Sequence, residues 1–360
     1  MYDKDEITAL RRRLHAFPEL SGRETKTAAF IDKYIRNKTG FKTYNIDGSL
    51  IAVYSPDSER REPIAFRAEL DAVPVEEADE LSYASKNPGA AHKCGHDGHM
   101  AALLAFMLSV AEDKPERKIY FIFQKAEEIG EGASLFDIPG FGADFAYTVD
   151  GGDVGGIEYE NFNAASAIYT IHGVSVHPGS AKGRMVNANR LACELNALFP
   201  GEEVPERTEG YEGFYHLCDL RGSVEECLLH YIIRDHDRAR FEARKELMRR
   251  AAEFIDARYG AGTLALDLKD SYYNMKEKIA PHMHLIDTAR AAMQEMGIEP
   301  IIVPIRGGTD GARLSYMGLP CPNLCTGGHN GHGVLECITA QALETVSQLL
   351  VKIVEKTYAR

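Results

Sequence analysis

Apolar positions recur at helical spacing from about Asp5 to Phe17 and again from Glu24 to about Lys38, where Gly40 can supply a C-cap. The pattern then switches to strand-like alternation. "FKTYNIDGSLIAVYSP" reads as a hairpin turning at Asp47 and Gly48, a dipeptide favoured in two-residue turns. "PIAFRAELDAVP", "RKIYFIFQKAEE" and "DFAYTVDGG" follow as short apolar runs, each ending in acidic residues. Such runs predict strands, and open α/β sheets carry their sites at the carboxyl ends of strands. Asp71, Glu127, Glu128 and Asp150 are therefore expected to gather on one edge of one sheet.

From about Asn163 the texture changes. "NFNAASAIYTIHGVSVHP" and "LLHYIIRDHD" have the alternation of half-exposed antiparallel strands, while "NANRLACELNALF" and "FEARKELMRRAAEFIDARYG" repeat apolar residues as helices packed on one sheet face do. After about Asn274 the first texture resumes, with a helix near His282 to Met296, the strand "EPIIVPI" and a final helix from about Ala340 to Lys356. The expected architecture is α/β, with residues 1–163 and 274–360 forming one domain and residues 164–273 an inserted α+β domain. No internal repeat or linker-like segment is found, so the joins must be short.

Composition narrows the function classes. A chain of 360 residues, 44% hydrophobic and 26% charged, can bury a sizeable core. Its formal net charge of −13, with no local run of Lys and Arg, argues against a nucleic-acid surface and suits a small cationic or zwitterionic substrate. No apolar stretch reaches the roughly 18 residues of a membrane span, and "MYDKDEITALRRRLHAF" lacks the apolar core of a signal peptide. A cytoplasmic location is expected. Seven cysteines, an odd and scattered count, do not form a disulfide framework and are expected to be reduced.

The stretch "AHKCGHDGHM", residues 91–100, concentrates the candidate chemistry. A structural zinc clip would want four closely organised Cys and His ligands, and no second pair follows. A redox thiol wants a resolving cysteine, and Cys94 has none nearby. His92 and His99 read equally well as packed residues. Cys94 and His96, two apart in a turn, can reach one metal centre. Candidates for the remaining ligands are Glu127 and Glu128, which repel each other unless a cation or shared proton intervenes or they cap a solvated helix start. Asp150 before Gly151 and Gly152, and His329 and His332 in the glycine-rich "TGGHNGHGVLE", complete the set.

These residues carry a resemblance that spans essentially the whole chain. "LRRRLHAFPELSGRET", "FRAELDAVP", "HKCGHDGH" and "FQKAEE" resemble the amidohydrolase and carboxypeptidase branch of the dinuclear zinc metallopeptidases and amidohydrolases, the family that includes peptidase T and aminoacylase. "FGADFAYTVDGG", "YENFNAASA", "VHPGSAKGRMVNA", "EGYEGFYHL", "YIIRDHDR", "PIRGGTDGARLSYMGLPCPNL" and "GGHNGHG" resemble the peptidase T branch. The resemblance implies a zinc-exopeptidase-like three-layer catalytic domain with an inserted lid and dimerisation domain.

It also implies roles. Cys94 becomes a bridging thiolate, with His96, Glu128, Asp150 and His332 completing two zinc positions, which Mn2+ or Co2+ could also fill. Glu127 becomes the general base, Asp71 an orienting residue, Arg306 a substrate anchor, and Arg234 a candidate for the same pocket. His177 matches a histidine that reaches a partner subunit's site, implying a homodimer. The pattern is mixed, since the peptidase T branch has His-x-Asp where this chain has Glu69-Leu70-Asp71 and aspartate where it has Cys94. The amidohydrolase branch in turn has Asp at Glu69, Pro at Lys125 and His at Asp150. Two zinc ions bring four positive charges and Cys94, Glu128 and Asp150 return three, so one hydroxide would bring the shell near neutrality. The expected activity is cleavage of small peptides by an aminopeptidase. The alternatives are hydrolysis of N-acyl-amino acids or a carboxypeptidase activity and, in another class, a metal-binding dimer without turnover.

Overall fold

Three apolar runs of the N-terminal half become neighbouring parallel strands in the computed structural model, which describes residues 4–57, 62–77, 81–135 and 138–356. The chain divides into two units. The first takes the chain up to Tyr159, Met275–Val303 and the residues from Thr309 on. It opens with helices α1 (Lys4–His15) and α2 (Thr25–Lys38), then the hairpin of β1 (Lys42–Ile46) and β2 (Ser49–Tyr54). Asp47 and Gly48 both take positive φ, 47° and 96°, as the tight turn between these strands requires.

The sheet continues with β3 (Ile64–Glu69), β4 (Ile119–Gln124), β5 (Phe145–Val149), β6 (Gly156–Glu158), β11 (Ile301–Ile302) and β12 (Asn323–Leu324), in the order β1-β2-β4-β3-β5-β12-β6-β11. Every residue of β3, β4 and β5 is buried, because both faces are covered. On one face lies α3 (His96–Asp113), buried from His96 to Val110 and packed edge-on through Phe106 against Phe66, with α1 and the helix Ala340–Lys356 against it. On the other, Ile51, Ala65, Ile122 and Ala146 meet Phe141, Leu314 and Leu319. The result is a three-layer α/β unit.

The second unit comprises Glu160–Asn274 and Pro304–Gly308. It holds β7 (Asn163–His172), β8 (Phe214–Gly222), β9 (Glu226–Asp235) and β10 (Leu264–Tyr272) in an antiparallel sheet ordered β10-β7-β9-β8. Alternate residues, Ala165, Ala167, Tyr169 and Ile171 on β7 and Leu229, Tyr231 and Ile233 on β9, enter a core with residues of the helices Ala188–Asn196 and Arg238–Tyr259. Of the run "EPIIVPI", only Ile301 and Ile302 form a strand; Pro304–Gly308 joins the second unit, where the Ile305 amide donates to Glu160 O at 2.8 Å. All seven cysteines are free, and among the described residues no helix is long and apolar enough to cross a membrane.

A buried ion network ties α1 to the start of α3. Arg11 Nε and His15 Nδ1 lie 3.1 and 2.8 Å from Asp97 Oδ2, and His15 Nε2 lies 2.7 Å from Glu77 Oε1. Asp97 sits in the first turn of α3, where the helix dipole favours an acid. Burial works to lower the His15 pKa, but Asp97 and Glu77 outweigh it and raise it above the usual 6.5. Its stabilising contribution is therefore complete below about pH 6.5 and is lost as the pH rises through the raised folded value. Denaturant unfolding of His15→Asn at pH 6 should show a loss of about 3 kcal/mol, the usual cost of stripping one partner from a buried pair. The gap to the wild type should narrow at higher pH, whereas a gap that widens would contradict this account.

Candidate metal centre

The carboxyl ends of β3 and β4 and the start of α3 meet at Asp71. Its Oδ2 accepts from Ser21 Oγ at 2.8 Å and from the Glu128 amide at 2.9 Å. Its backbone oxygen lies 3.0 Å from His96 Nδ1, and its Oδ1 3.3 Å from the same nitrogen. Acceptors on that side hold a proton on Nδ1, so that in the neutral ring Nε2 carries the lone pair; burial lowers the ring's pKa, but Cys94 and Asp71 outweigh it and raise it well above 6.5. Nε2 faces the carboxylates of Glu127 and Glu128 at 3.9 and 3.8 Å. Gly95, at φ 91°, turns the chain into α3 and puts Cys94 beside His96, with Cys94 Sγ 3.6 Å from Asp71 O.

The turn after β4 is strained. Ala126 takes φ 55°, a left-handed conformation costing about 1–2 kcal/mol for a residue with a Cβ. Its carbonyl is held by the amides of Glu131 and Gly132 at 3.1 and 3.2 Å, and Gly130 N closes on Glu127 O at 2.7 Å. His332 is likewise left-handed, φ 64°, its amide bonded to Lys93 O at 2.6 Å. This brings His332 Nε2 to 3.0 Å from Glu128 Oε1, a buried oxygen with no hydrogen-bond partner among the described residues. Unusual backbone at two such points marks a site whose side chains are aimed by their surroundings.

Two sets of donor atoms lie within 4.8 Å of one another: Cys94, His96 and Glu128, and Glu69, His96, His99 and Asp150. His96 belongs to both. Glu69 and His99 are absent from the ligand set expected from the sequence. The available signal was the three-residue spacing of His96 and His99, which puts both on one face of α3. His99 Nδ1 lies 2.9 Å from Glu69 Oε2, and Glu69 also pairs with Arg67, whose guanidinium reaches Asp310 and Gln124.

The electrostatics separate these carboxylates. Burial alone would raise Glu69, but the Arg67 charge and the His99 hydrogen bond hold it at about 2. Asp71 is held at about 2 in the same way, by His96 and the Glu128 amide against burial. Glu127 goes the other way: burial pushes it up to about 8, Asp310 and Glu69 adding to the rise and His96 and Arg67 opposing it. Burial, Glu69 and Glu127 raise Asp150 well above the carboxylate range. Burial also pushes the Cys94 thiol up to about 12. A thiol, an imidazole lone pair and an orphaned carboxylate oxygen in one crowded acidic cluster are a mixed S, N and O donor set suited to zinc and related divalent ions. The residues fit a metal.

Of the remaining sequence candidates, His177, Arg234 and Arg306 belong to the second unit. His177 is exposed in the second unit, its Nδ1 accepting from Gly179 N at 3.1 Å. Arg306 donates to the carbonyls of Gly210, Glu212 and Thr208 and to Thr208 Oγ1, and stacks near Phe162. Arg234 donates to Ala165 O and Ile233 O. His329 Nδ1 is 3.4 Å from Asp153 Oδ1, and both ring nitrogens of buried His92 are without a partner among the described residues.

The donor set lies at the carboxyl edge of a mixed sheet, where open α/β folds carry their sites, and defines a candidate metal centre. Residues 65–356 match Peptidase family M20/M25/M40, and the chain belongs to that family. Peptidase T of Alkaliphilus oremlandii is 54% identical over 233 residues, 65% of this chain and 57% of that protein, so the match spans little more than half of that relative's length. Peptidase T of Bacillus subtilis is 50% identical over 272 residues, 76% of this chain and 66% of that protein. Among solved structures, aminopeptidase PepT from Bacillus cereus shares the fold with a TM-score of 0.83 at 20% identity, covering 99% of each chain. The Bacillus subtilis YXEP protein, a dinuclear metal binding peptidase from the M20 family, does so with a TM-score of 0.79 at 21% identity, covering 98% of this chain and 97% of its own.

The tightness of the 125–132 turn can be tested directly. A Cβ on Gly132 would fall 1.8 Å from Lys125 O, an overlap that only backbone movement can relieve. Gly132→Ala should lower the unfolding free energy by about 1–3 kcal/mol, read by denaturant titration. Wild-type stability in that variant would mean the turn is not closed as described.

Proposed function

We propose that the protein is a metal-dependent hydrolase of peptide bonds in small peptides, an aminopeptidase of the peptidase T type acting on tripeptides. The observation that carries this reading is the Glu127 carboxylate 3.9 Å from Nε2 of His96, beside the Cys94, His96 and Glu128 donors. The 54% identical relative named Peptidase T supports the substrate class. Cys94, His96, Glu128, Asp150 and His332 would hold two ions, zinc first, with Mn2+ or Co2+ as substitutes. When bound, such ions lower the pKa of water to roughly 7 and polarise a carbonyl.

The chain's own residues do the rest. Asp71 fixes the His96 ring through Nδ1 and so keeps Nε2 turned inward. Glu127, 3.9 Å from Nε2 of His96, takes a proton from the attacking water and gives it to the leaving amine. The second unit serves as lid and dimerisation domain, with His177 serving the site of a partner copy. Arg306 anchors the substrate through its planar fork, its guanidinium oriented by the carbonyls of Gly210, Glu212 and Thr208, and Arg234 is the candidate for the same pocket. The cytoplasm suits seven unpaired thiols.

One observation favours a second reading. Cys94 stands where the peptidase T branch has aspartate, so an amidohydrolase acting on N-acyl-amino acids is the rival. Metal content and hydrolysis should be measured on one purified sample against tripeptides, dipeptides and N-acetyl-amino acids. Near two ions per chain with free-amine tripeptides cleaved supports the aminopeptidase. Preference for N-acyl substrates transfers the reading to the amidohydrolase, and metal without turnover leaves only a binding protein. Glu127→Gln should retain metal and lose hydrolysis by about 10²–10⁴-fold. Mixing His177→Ala with Glu127→Gln subunits should restore part of the activity, and failure to complement would remove the trans role.

A further inference from the structure

Glu24 has no place among the candidate site residues, yet its carboxylate reaches the turn that carries two of them. It is 4% exposed, and its Oε1 accepts from Gly22 N at 2.9 Å and from Ala126 N at 2.7 Å. A buried carboxylate is tolerated only when hydrogen-bonded, and here backbone amides supply the bonds. Three residues back, Ser21 Oγ donates to the Asp71 oxygen that also receives the Glu128 amide. The 21–24 loop therefore holds the peptide groups at 126 and 128, one on each side of Glu127. Ala126 is also the residue in the left-handed conformation, which an L side chain does not hold without help.

A simpler role for Glu24, capping α2, is already filled. Glu24 precedes the first residue of that helix but makes no side-chain cap bond. Glu19 does this instead, its Oε2 accepting from the amides of Lys26 and Thr27 at 2.8 Å each.

We propose that Glu24 is a positioning residue: by accepting the Ala126 amide it keeps the left-handed turn closed and so aims Glu127 and Glu128 at the Cys94 and His96 end of α3. It acts by reach rather than by charge and touches neither substrate nor ion. Its kinetic consequence rests on the metal-dependent hydrolase reading, whereas its effect on the Glu128 oxygen does not.

Reach and charge are separated by three variants of the full chain. Glu24→Gln keeps an acceptor at the same distance, Glu24→Asp keeps the charge but withdraws it by one methylene, and Glu24→Ala removes both. Zinc affinity would be read by chelator competition, kcat and KM with a cleaved peptide, and folding by thermal unfolding, with Glu19→Ala as the helix-cap control. The expectation is that Glu24→Gln stays within about threefold of the wild type. Glu24→Asp and Glu24→Ala should lose about 10- to 100-fold in zinc affinity and kcat, with KM little changed. Adding Ala126→Gly, which takes positive φ without the Cβ penalty, should recover part of the Glu24→Ala loss. Three outcomes would overturn the proposal: all variants within about twofold of wild type, Glu24→Asp outperforming Glu24→Gln, or a kcat loss shared by Glu19→Ala. Should Glu24→Ala not fold, the order of the Gln and Asp variants decides alone. Should the wild type hydrolyse nothing, the functional reading fails, while zinc affinity across the same variants still decides the role of Glu24.

Discussion

The site depends on one carboxylate. Asp71 is fully buried at the end of β3 and carries a charge because His96, the Glu128 amide and the Ser21 hydroxyl all point at it. Those partners come from α3, from the turn after β4 and from the loop before α2. Oδ2 receives the hydroxyl and the amide, while His96 is held by both the backbone oxygen and Oδ1. A buried ion costs several kcal/mol unless its lone pairs are occupied, so the fold has strong reason to hold these segments together.

The surrounding carboxylates divide by what balances them. Glu69 and Asp310 share the buried Arg67, and Asp97 has Arg11 and His15, so each of these has a protein cation. Burial raises Asp310 even so, against Arg67; Glu127 and Asp150 are driven upward by burial and by other acids, and Glu128 Oε1 has the His332 and His96 rings near it, at 3.0 and 3.8 Å. Within the donor sets Glu69 is balanced by Arg67, whereas Asp150 is crowded by Glu69 and Glu127. A cation is what that second group lacks, and a cation would also turn the Cys94 thiol into a thiolate, as metal coordination does.

Much of this was legible in the chain because strands buried on both faces leave continuous apolar runs. The acids ending β3, β4 and β5 stood out against those runs, and parallel pairing brings their carboxyl ends to one edge. The hairpin at Asp47 and Gly48 and the alternation of β7 and β9 were equally plain. Short strands were not. β11 and β12 are two residues each, too brief for any periodicity, and Pro304–Gly308 leaves the first unit for the second within a run that reads as one strand. The Glu69 and His99 pair was hidden because it joins a strand to a helix 30 residues away. Arg306 stood out by residue type, but the Gly210, Glu212 and Thr208 carbonyls that orient its guanidinium lie 94 to 98 residues away in the chain, which no spacing rule announces.

The central claim is that the Cys94, His96 and Glu128 cluster is built around a metal ion. Zinc-edge X-ray absorption on the zinc-loaded protein tests it most directly. The account predicts a sulfur neighbour at about 2.3 Å together with nitrogen and oxygen neighbours at about 2.0–2.2 Å, the sulfur shell vanishing in Cys94→Ser. A spectrum with no sulfur in the first shell, or one unchanged by Cys94→Ser, would contradict it.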